Sequence, residues 1–227
     1  MIKALLFDFD GIIMDTESPE VQFWQEIFTG QGVDFPLDIW LRDVVGATVA
    51  NFNPAAYLAS ATGRTFDLAA LHEQARISRL EAQSRLAALP GVMDILAAAK
   101  RLELKLAIAS SSPHLWVDRY LRQLGLIDTF NAVICREDAP SVKPAPDLFL
   151  AALSALKVSA AETVAFEDSP NGILAAKRAG LRVVAVPNPV TQHADFSHAD
   201  LVLGTLADLV LEELLGKLEH QGPPGDS

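Results

Sequence analysis

The chain has 227 residues, half of them hydrophobic, with 29 acidic against 18 basic side chains and a formal charge of −11. That length supports one large domain, or a core with a smaller insert, and the composition is that of a globular rather than a disordered chain. The acidic balance excludes general affinity for nucleic acid or an anionic membrane surface, but it leaves room for a local basic site that takes a small anion.

The first element is the apolar run Lys3 to Phe7, which has the pattern of a buried strand and ends in Asp8-Phe9-Asp10-Gly11. The short run breaks at Asp8, so it is not a secretory leader, and no apolar stretch reaches the length of a membrane span. Side chains alternate along an extended strand, so Asp8 and Asp10 leave its end on the same side. Two carboxylates placed that way repel unless a cation or a shared proton compensates. A hard, all-oxygen environment with no neighbouring His or Cys points to Mg²⁺. Gly11 lets the backbone turn sharply after the pair, and Asp15 is placed to cap the following helix.

From about residue 16 to 88 the periodicity is helical. Val21, Trp24, Ile27 and Phe28 share one helix face, ended by Gly30 and Gly32. Helices are predicted over Leu37 to Val45, Pro54 to Ala61 and Asp67 to Leu89, with Thr62-Gly63-Arg64 as a turn and Pro90-Gly91 as the stop. Strand and helix then alternate. Helices are predicted over Val92–Arg101, Pro113–Leu124 (with Ser112 as its cap), Pro146–Leu156, Pro170–Ala179 (capped by Ser169) and Leu206–Leu218 (capped by Thr205). Strands are predicted at Lys105–Ala109, Ala132–Cys135, Thr163–Phe166, Arg182–Val186 and Leu201–Leu203. Cys135 is the one cysteine; no intramolecular disulfide can form, and a reducing, cytoplasmic setting is expected. The fold class is therefore α/β, a doubly wound parallel sheet with an inserted all-helical domain. The expected division is a core of residues 1–15 and 90–219, a helical insert of 16–89, and a disordered tail of 220–227.

Ligands of such sheets bind beyond the carboxyl ends of the strands. That rule gathers Asp8, Asp10, Ser110, Glu167 and Asp168, with Lys143 in reach of the same rim. Four acids against one divalent ion leave excess negative charge, and Lys143 is the compensation. Ser110, with Ser111 beside it, offers hydroxyl and backbone donors ahead of a helix. Metal, lysine, hydroxyl and backbone donors together suit a phosphoryl group. There is no GxxxxGK[ST] or GxGxxG loop, so the site is not one for ATP or a dinucleotide. A carboxylate can attack phosphorus to give an aspartyl-phosphate that water cleaves. Asp8, nearest the strand, is the candidate nucleophile, and Asp10 the acid that protonates the leaving oxygen and later activates water.

These residues resemble the haloacid dehalogenase superfamily over nearly the whole chain. Asp8-Phe9-Asp10-Gly11 with Asp15 is similar to its first motif, Ser110 to its second, Lys143 in Val142-Lys143-Pro144-Ala145-Pro146-Asp147 to its third, and Glu167-Asp168-Ser169-Pro170-Asn171-Gly172 to its fourth. The helical insert resembles the cap of the phosphoglycolate phosphatase and β-phosphoglucomutase types. The resemblance implies a metal held by Asp8, the backbone carbonyl of Asp10, and Asp168, with Glu167 as ligand or support. It also implies a phosphoryl group held by Ser110 and Lys143, and a cap that closes over the substrate. Asp10 argues against a dehalogenase, which lacks that residue. The mutase cap also uses a histidine and an arginine; Glu20 and Val49 stand at the matching positions, which favours a phosphatase on a sugar or sugar-acid phosphate over a phosphosugar mutase. Glu17, Glu20 and His114 are the candidates for substrate selection. No nucleic-acid or membrane partner is expected, and the chain reads as a monomer or weak homodimer.

Overall fold

The computed structural model describes residues 1–44, 52–83 and 87–220. The chain divides into two compact units, Met1–Met14 with Ala87–Ser227, and Asp15–Leu86.

The first unit is built on six parallel strands: β1 (Ala4–Phe7), β2 (Lys105–Ala109), β3 (Ala132–Ile134), β4 (Thr163–Glu167), β5 (Arg182–Ala185) and β6 (Leu201–Val202). Their order is β3-β2-β1-β4-β5-β6, so β1 lies inside the sheet, between β2 and β4. Its four residues are all buried, which explains an unbroken apolar run rather than an alternating one. One face presents mostly small residues, Ala4, Leu6, Ala107, Ala109, Ala165 and Ala185, to Leu148, Phe149 and Ala152 of α7 (Asp147–Leu156) and to Ile173 and Ala176 of α8 (Pro170–Arg178). The other face carries the bulk: Leu5, Phe7, Leu106, Ile108, Val164 and Phe166 are all buried. There α5 (Val92–Arg101) packs against β2 and against α9 (Leu211–His220). Phe7 and Phe166 are paired in register and stack with ring centroids 4.9 Å apart. That pairing places the residues after them, Asp8 and Glu167, side by side at the carboxyl edge.

The second unit consists of α1 (Ser18–Gly30), α2 (Leu37–Asp43), α3 (Pro54–Thr62) and α4 (Leu68–Gln83). α4 packs against α1 and α3. Its interior is aromatic: Phe28 meets Phe35 and Tyr57, Trp40 meets Phe35 and Phe52, and Trp24 meets His72. The N-cap position of α1 is Glu17, whose side chain makes no capping bond, while the Asp15 carboxylate, two residues before it, accepts the N–H of Ser18, the first residue of α1. Asn53 caps α3 through the N–H of Ala56, and Gly63, with φ of 66°, ends it.

Three predicted boundaries are corrected. Residues 87–89 are not helical; the N–H of Leu89 donates to the carbonyl of Ile13, which ties the returning chain to the turn that follows β1. Thr205 caps only a 3-10 turn, Leu206–Asp208, and α9 starts afresh at Leu211. Ser112 does not cap α6 (His114–Gln123): Pro113 is extended, with ψ of 156°, and the Ser112 hydroxyl is turned elsewhere. Val45, Val49, Arg85, Leu86 and the tail from Gln221 lie outside the described residues.

The Phe7–Phe166 stack fixes the strand pair that carries the two acids. Replacing Phe166 by Ala is expected to cost about 3–5 kcal/mol, read as a lowered urea midpoint with an unchanged m-value.

Candidate active site

Lys143 is the centre of the rim. It is buried, and its ammonium donates to Asp8 Oδ1 and to Glu167 Oε1, each at 2.6 Å. The Phe149 ring lies 5.1 Å below the nitrogen, so the stem is packed and the charge is aimed. Burial alone would lower the lysine's affinity for its proton, but Asp8 and Glu167 outweigh it and push the pKa up. Asp8 shows the opposite balance. Burial raises its carboxyl, Lys143 lowers it, and Glu167 and Asp10 raise it again, leaving it at about 7. The pocket therefore holds more negative charge than one lysine neutralises.

Glu167, fully buried, is held on both oxygens. Oε2 accepts the N–H of Asp168 at 3.2 Å and the hydroxyl of Ser169 at 3.3 Å, while Oε1 takes Lys143. Its carboxylate lies against Gly172, where any Cβ would overlap it. This accounts for a glycine in the first turn of α8, whose cap is Ser169 accepting the N–H of Gly172. Asp168 is set by Asn188, whose side-chain amide donates to Oδ2 at 2.6 Å. Asn188 is fixed in turn by the N–H groups of Val190 and Thr191. Gly11, at φ +80°, sits where a Cβ would strike Asp168 and Asn188, so the sharp turn after Asp10 is also a close approach.

Among the described residues, one group of three acids brings carboxylate oxygens within 4.8 Å of one another: Asp8, Glu167 and Asp168. Oxygen donors alone, buried and with surplus negative charge, fit a hard divalent cation such as Mg²⁺. The Asp10 side chain is not in that group. Its Oδ2 accepts the hydroxyl of Ser112 at 2.6 Å and lies 3.5 Å from that of Ser110, and its Oδ1 accepts the indole N–H of Trp116 at 2.9 Å.

Ser110 is buried, and its N–H donates to the carbonyl of Ile134, which carries β3's alignment into the loop. Its hydroxyl accepts the N–H of Ser112. The Ser111 hydroxyl is buried and has no hydrogen-bond partner among the described residues. His114 has both ring nitrogens engaged, Nδ1 with Asp118 at 3.2 Å and Nε2 with Asp138 at 2.7 Å. Partial burial alone would lower its pKa, but the two acids more than offset that and raise it. Those contacts tie the half-exposed His114 ring to the start of α6. In the helical unit, Glu20 accepts Arg79 at 2.8 Å, and Glu17 is at the start of α1, with its carbonyl accepting the N–H groups of Glu20 and Val21. Trp116 and Asn188 were not singled out by sequence reasoning. An Asn between two prolines after β5, and a Trp early in the helix that follows the serines, are the faint marks they leave.

The family model for haloacid dehalogenase-like hydrolases matches residues 5–186. The chain belongs to that family. It is 45% identical over 224 residues, 97% of its length, to the whole of the putative phosphatase YhcW of Bacillus subtilis. It is 31% identical to hexitol phosphatase B of Escherichia coli, over 95% of this chain and 97% of that protein. The crystal structure of a CbbY variant from Rhodobacter sphaeroides in complex with xylulose-(1,5)bisphosphate matches with a TM-score of 0.68 and 27% identity, covering 92% of this chain and 96% of that one. The haloacid dehalogenase-type chemistry here is that of a phosphoric monoester hydrolase.

Lys143→Met strands two buried carboxylates. At pH 8 without divalent metal it is expected to lose about 3–5 kcal/mol in urea unfolding. The raised Asp8 carboxyl takes up a proton as the pH falls through about 7, so the loss should shrink toward pH 5; a loss independent of pH would contradict this electrostatic account.

Proposed function

We propose that this protein is a Mg²⁺-dependent phosphatase that hydrolyses a small sugar or sugar-acid phosphate monoester through an aspartyl-phosphate on Asp8. The observation that carries the reading is the Asp8 carboxylate: it is held at the sheet's edge by Lys143, inside an acid cluster, with a second acid two residues on whose side chain is turned away from that cluster. Two neighbouring carboxylates in different surroundings can take different roles.

Asp8 and Asp168 would hold the metal, with the Asp10 carbonyl. Glu167, its oxygens already taken by Lys143, Asp168 and Ser169, serves mainly to fix the lysine. Bound Mg²⁺ supplies the positive charge that brings a phosphate dianion up to a carboxylate. The ammonium of Lys143 and the hydroxyls of Ser110 and Ser111 face the phosphoryl oxygens; a buried Ser111 hydroxyl without a partner supports that placing. An Asp8 oxygen attacks phosphorus, and the ester P–O bond breaks while Asp10 gives its proton to the leaving oxygen. Asp10, now ionised, takes a proton from water as that water attacks the phosphorus, and Asp8 is released with inorganic phosphate.

The sugar-phosphate class is supported by the names of hexitol phosphatase B and of the xylulose-bisphosphate complex. Glu17 and Glu20 remain candidates for selecting among such esters. Hydrolysis is preferred to a mutase because position 20 holds a glutamate paired with Arg79 where the mutase type has a histidine; Val49 lies outside the described residues. A reducing, cytoplasmic setting goes with this reading, and the buried free thiol of Cys135 is compatible with it.

A panel of sugar and sugar-acid phosphates is expected to release inorganic phosphate with Mg²⁺ and none after chelation. Asp8→Asn should lower kcat by about 10⁴-fold or more. Substantial turnover in that variant would remove Asp8 as the nucleophile, and a hexose 1-phosphate giving an isomeric hexose phosphate would favour the mutase. In thermal unfolding, saturating Mg²⁺ should stabilise by about 2.7 kcal/mol at a hundredfold excess over Kd. That shift should be larger at pH 8 than at pH 5.5, because protons compete for Asp8.

A further inference from the structure

The proposed mechanism asks Asp10 to pass a proton twice, and the structure clamps its carboxylate from one side by two groups of different chemistry. We propose that Trp116 is a positioning residue for this proton transfer: its indole N–H keeps Asp10 Oδ1 as an acceptor throughout, so that the mobile proton is carried on Oδ2, opposite Ser112.

An indole nitrogen donates and cannot accept, whereas a serine hydroxyl does both. Trp116 Nε1 donates to Oδ1 at 2.9 Å, and Ser112 Oγ donates to Oδ2 at 2.6 Å. When Asp10 is ionised, both contacts are charge-assisted. When Asp10 carries a proton, the Trp116 contact can persist only on an oxygen that still offers a lone pair toward it. The Ser112 hydroxyl can rotate from donor to acceptor and tolerate a proton on Oδ2. An indole on Oδ1 and serine hydroxyls on Oδ2, that of Ser112 and at 3.5 Å that of Ser110, thus make the carboxylate asymmetric. From Oδ2 the proton passes to the leaving oxygen as the ester P–O bond breaks, and to Oδ2 a proton returns from the attacking water.

The clamp is itself anchored. Trp116 is one turn from the serine loop, its backbone N–H donating to the carbonyl of Pro113 and its ring meeting Tyr120 edge-on at 4.9 Å. The start of α6 is pinned from the β3 side: Glu137 accepts the N–H of His114, and Asp138 holds the His114 ring. The Ser112 carbonyl accepts the N–H of Arg136. A donor with no rotatable hydrogen, on a helix tied down at its start, suits a group that must act within a few tenths of an ångström.

This inference rests on the reading of Asp10 as general acid. Trp116→Phe keeps the ring and removes the N–H. Departure of a poor leaving group needs the acid, and departure of a good one does not, so the loss should depend on the substrate. Expected for Trp116→Phe is a fall in kcat/KM of about 10- to 100-fold on an alkyl phosphate, within the range of general acid catalysis, and of less than about threefold on 4-nitrophenyl phosphate. An equal fall on both, or none on either, overturns the positioning role. A second readout needs neither turnover nor the Phe variant. In a ¹H–¹⁵N spectrum of the metal-free protein, Asp10→Asn should move one of the indole signals of Trp24, Trp40 and Trp116, since the indole's carboxyl acceptor is replaced; unmoved signals also overturn the proposal. If Asp10→Asn itself retains full turnover on alkyl phosphates, the general-acid reading has failed rather than the role of Trp116.

Discussion

One buried ammonium between two carboxylates is what the active edge is built around. Lys143 reaches Asp8 on β1 and Glu167 on β4, neighbouring parallel strands whose register sets the two acids side by side. An ion taken out of water costs several kcal/mol unless its partners are placed to repay it, and here the partners come from the most buried part of the sheet. The ion triad is thus a consequence of the sheet and a constraint on it. A slip of one residue in either strand would separate Asp8 from Lys143 and turn the apolar side chains to the wrong faces.

The rest of the site is arranged around that fixed point by close backbone approaches. Gly172 lets α8 lie against the Glu167 carboxylate, and Gly11 lets the chain turn beside Asp168 and Asn188. Neither position admits a Cβ without displacing a buried charged or amide group. The surplus of negative charge left at the edge, seen in an Asp8 carboxyl raised to about 7, makes a divalent cation a fitting occupant. Asp10 stands apart, with its carboxylate held by Ser112 and Trp116, and it is on that separation that the proposal of unlike roles for the two aspartates rests.

Much of this was legible in the sequence, and the reason is physical. A parallel sheet buried on both faces writes itself as apolar runs, so the strands were readable, and the acids that interrupt those runs at their ends stand out against them. Asp8, Glu167 and Asp168 could therefore be picked out as candidates, with Lys143 placed in reach of them, and the structure brings these four together. Trp116 and Asn188 were not picked out, because each acts through a tertiary contact, over 106 residues for Trp116 with Asp10 and 20 for Asn188 with Asp168, and neither residue type advertises such a role. Ser112 was misread as a helix cap for a related reason. Ser-Pro before a helical pattern is a good local cap, but the Asp10 carboxylate offered the hydroxyl a charged acceptor, and that stronger bond won. The contacts of His114 were not legible either: Asp118 lies one turn on in the same helix, but Asp138 comes from the segment after β3 and is brought near only by the packing of β3 against β2.

The central claim is that phosphorus is bonded for a time to Asp8. Quenching the enzyme during steady-state turnover of a sugar phosphate, reducing with borohydride and mapping peptides by mass spectrometry tests it directly, since reduction converts an aspartyl-phosphate to homoserine. The account predicts homoserine at position 8 and unmodified aspartate at position 10. Homoserine at position 10, or at neither position under conditions where phosphate is being released, would contradict it.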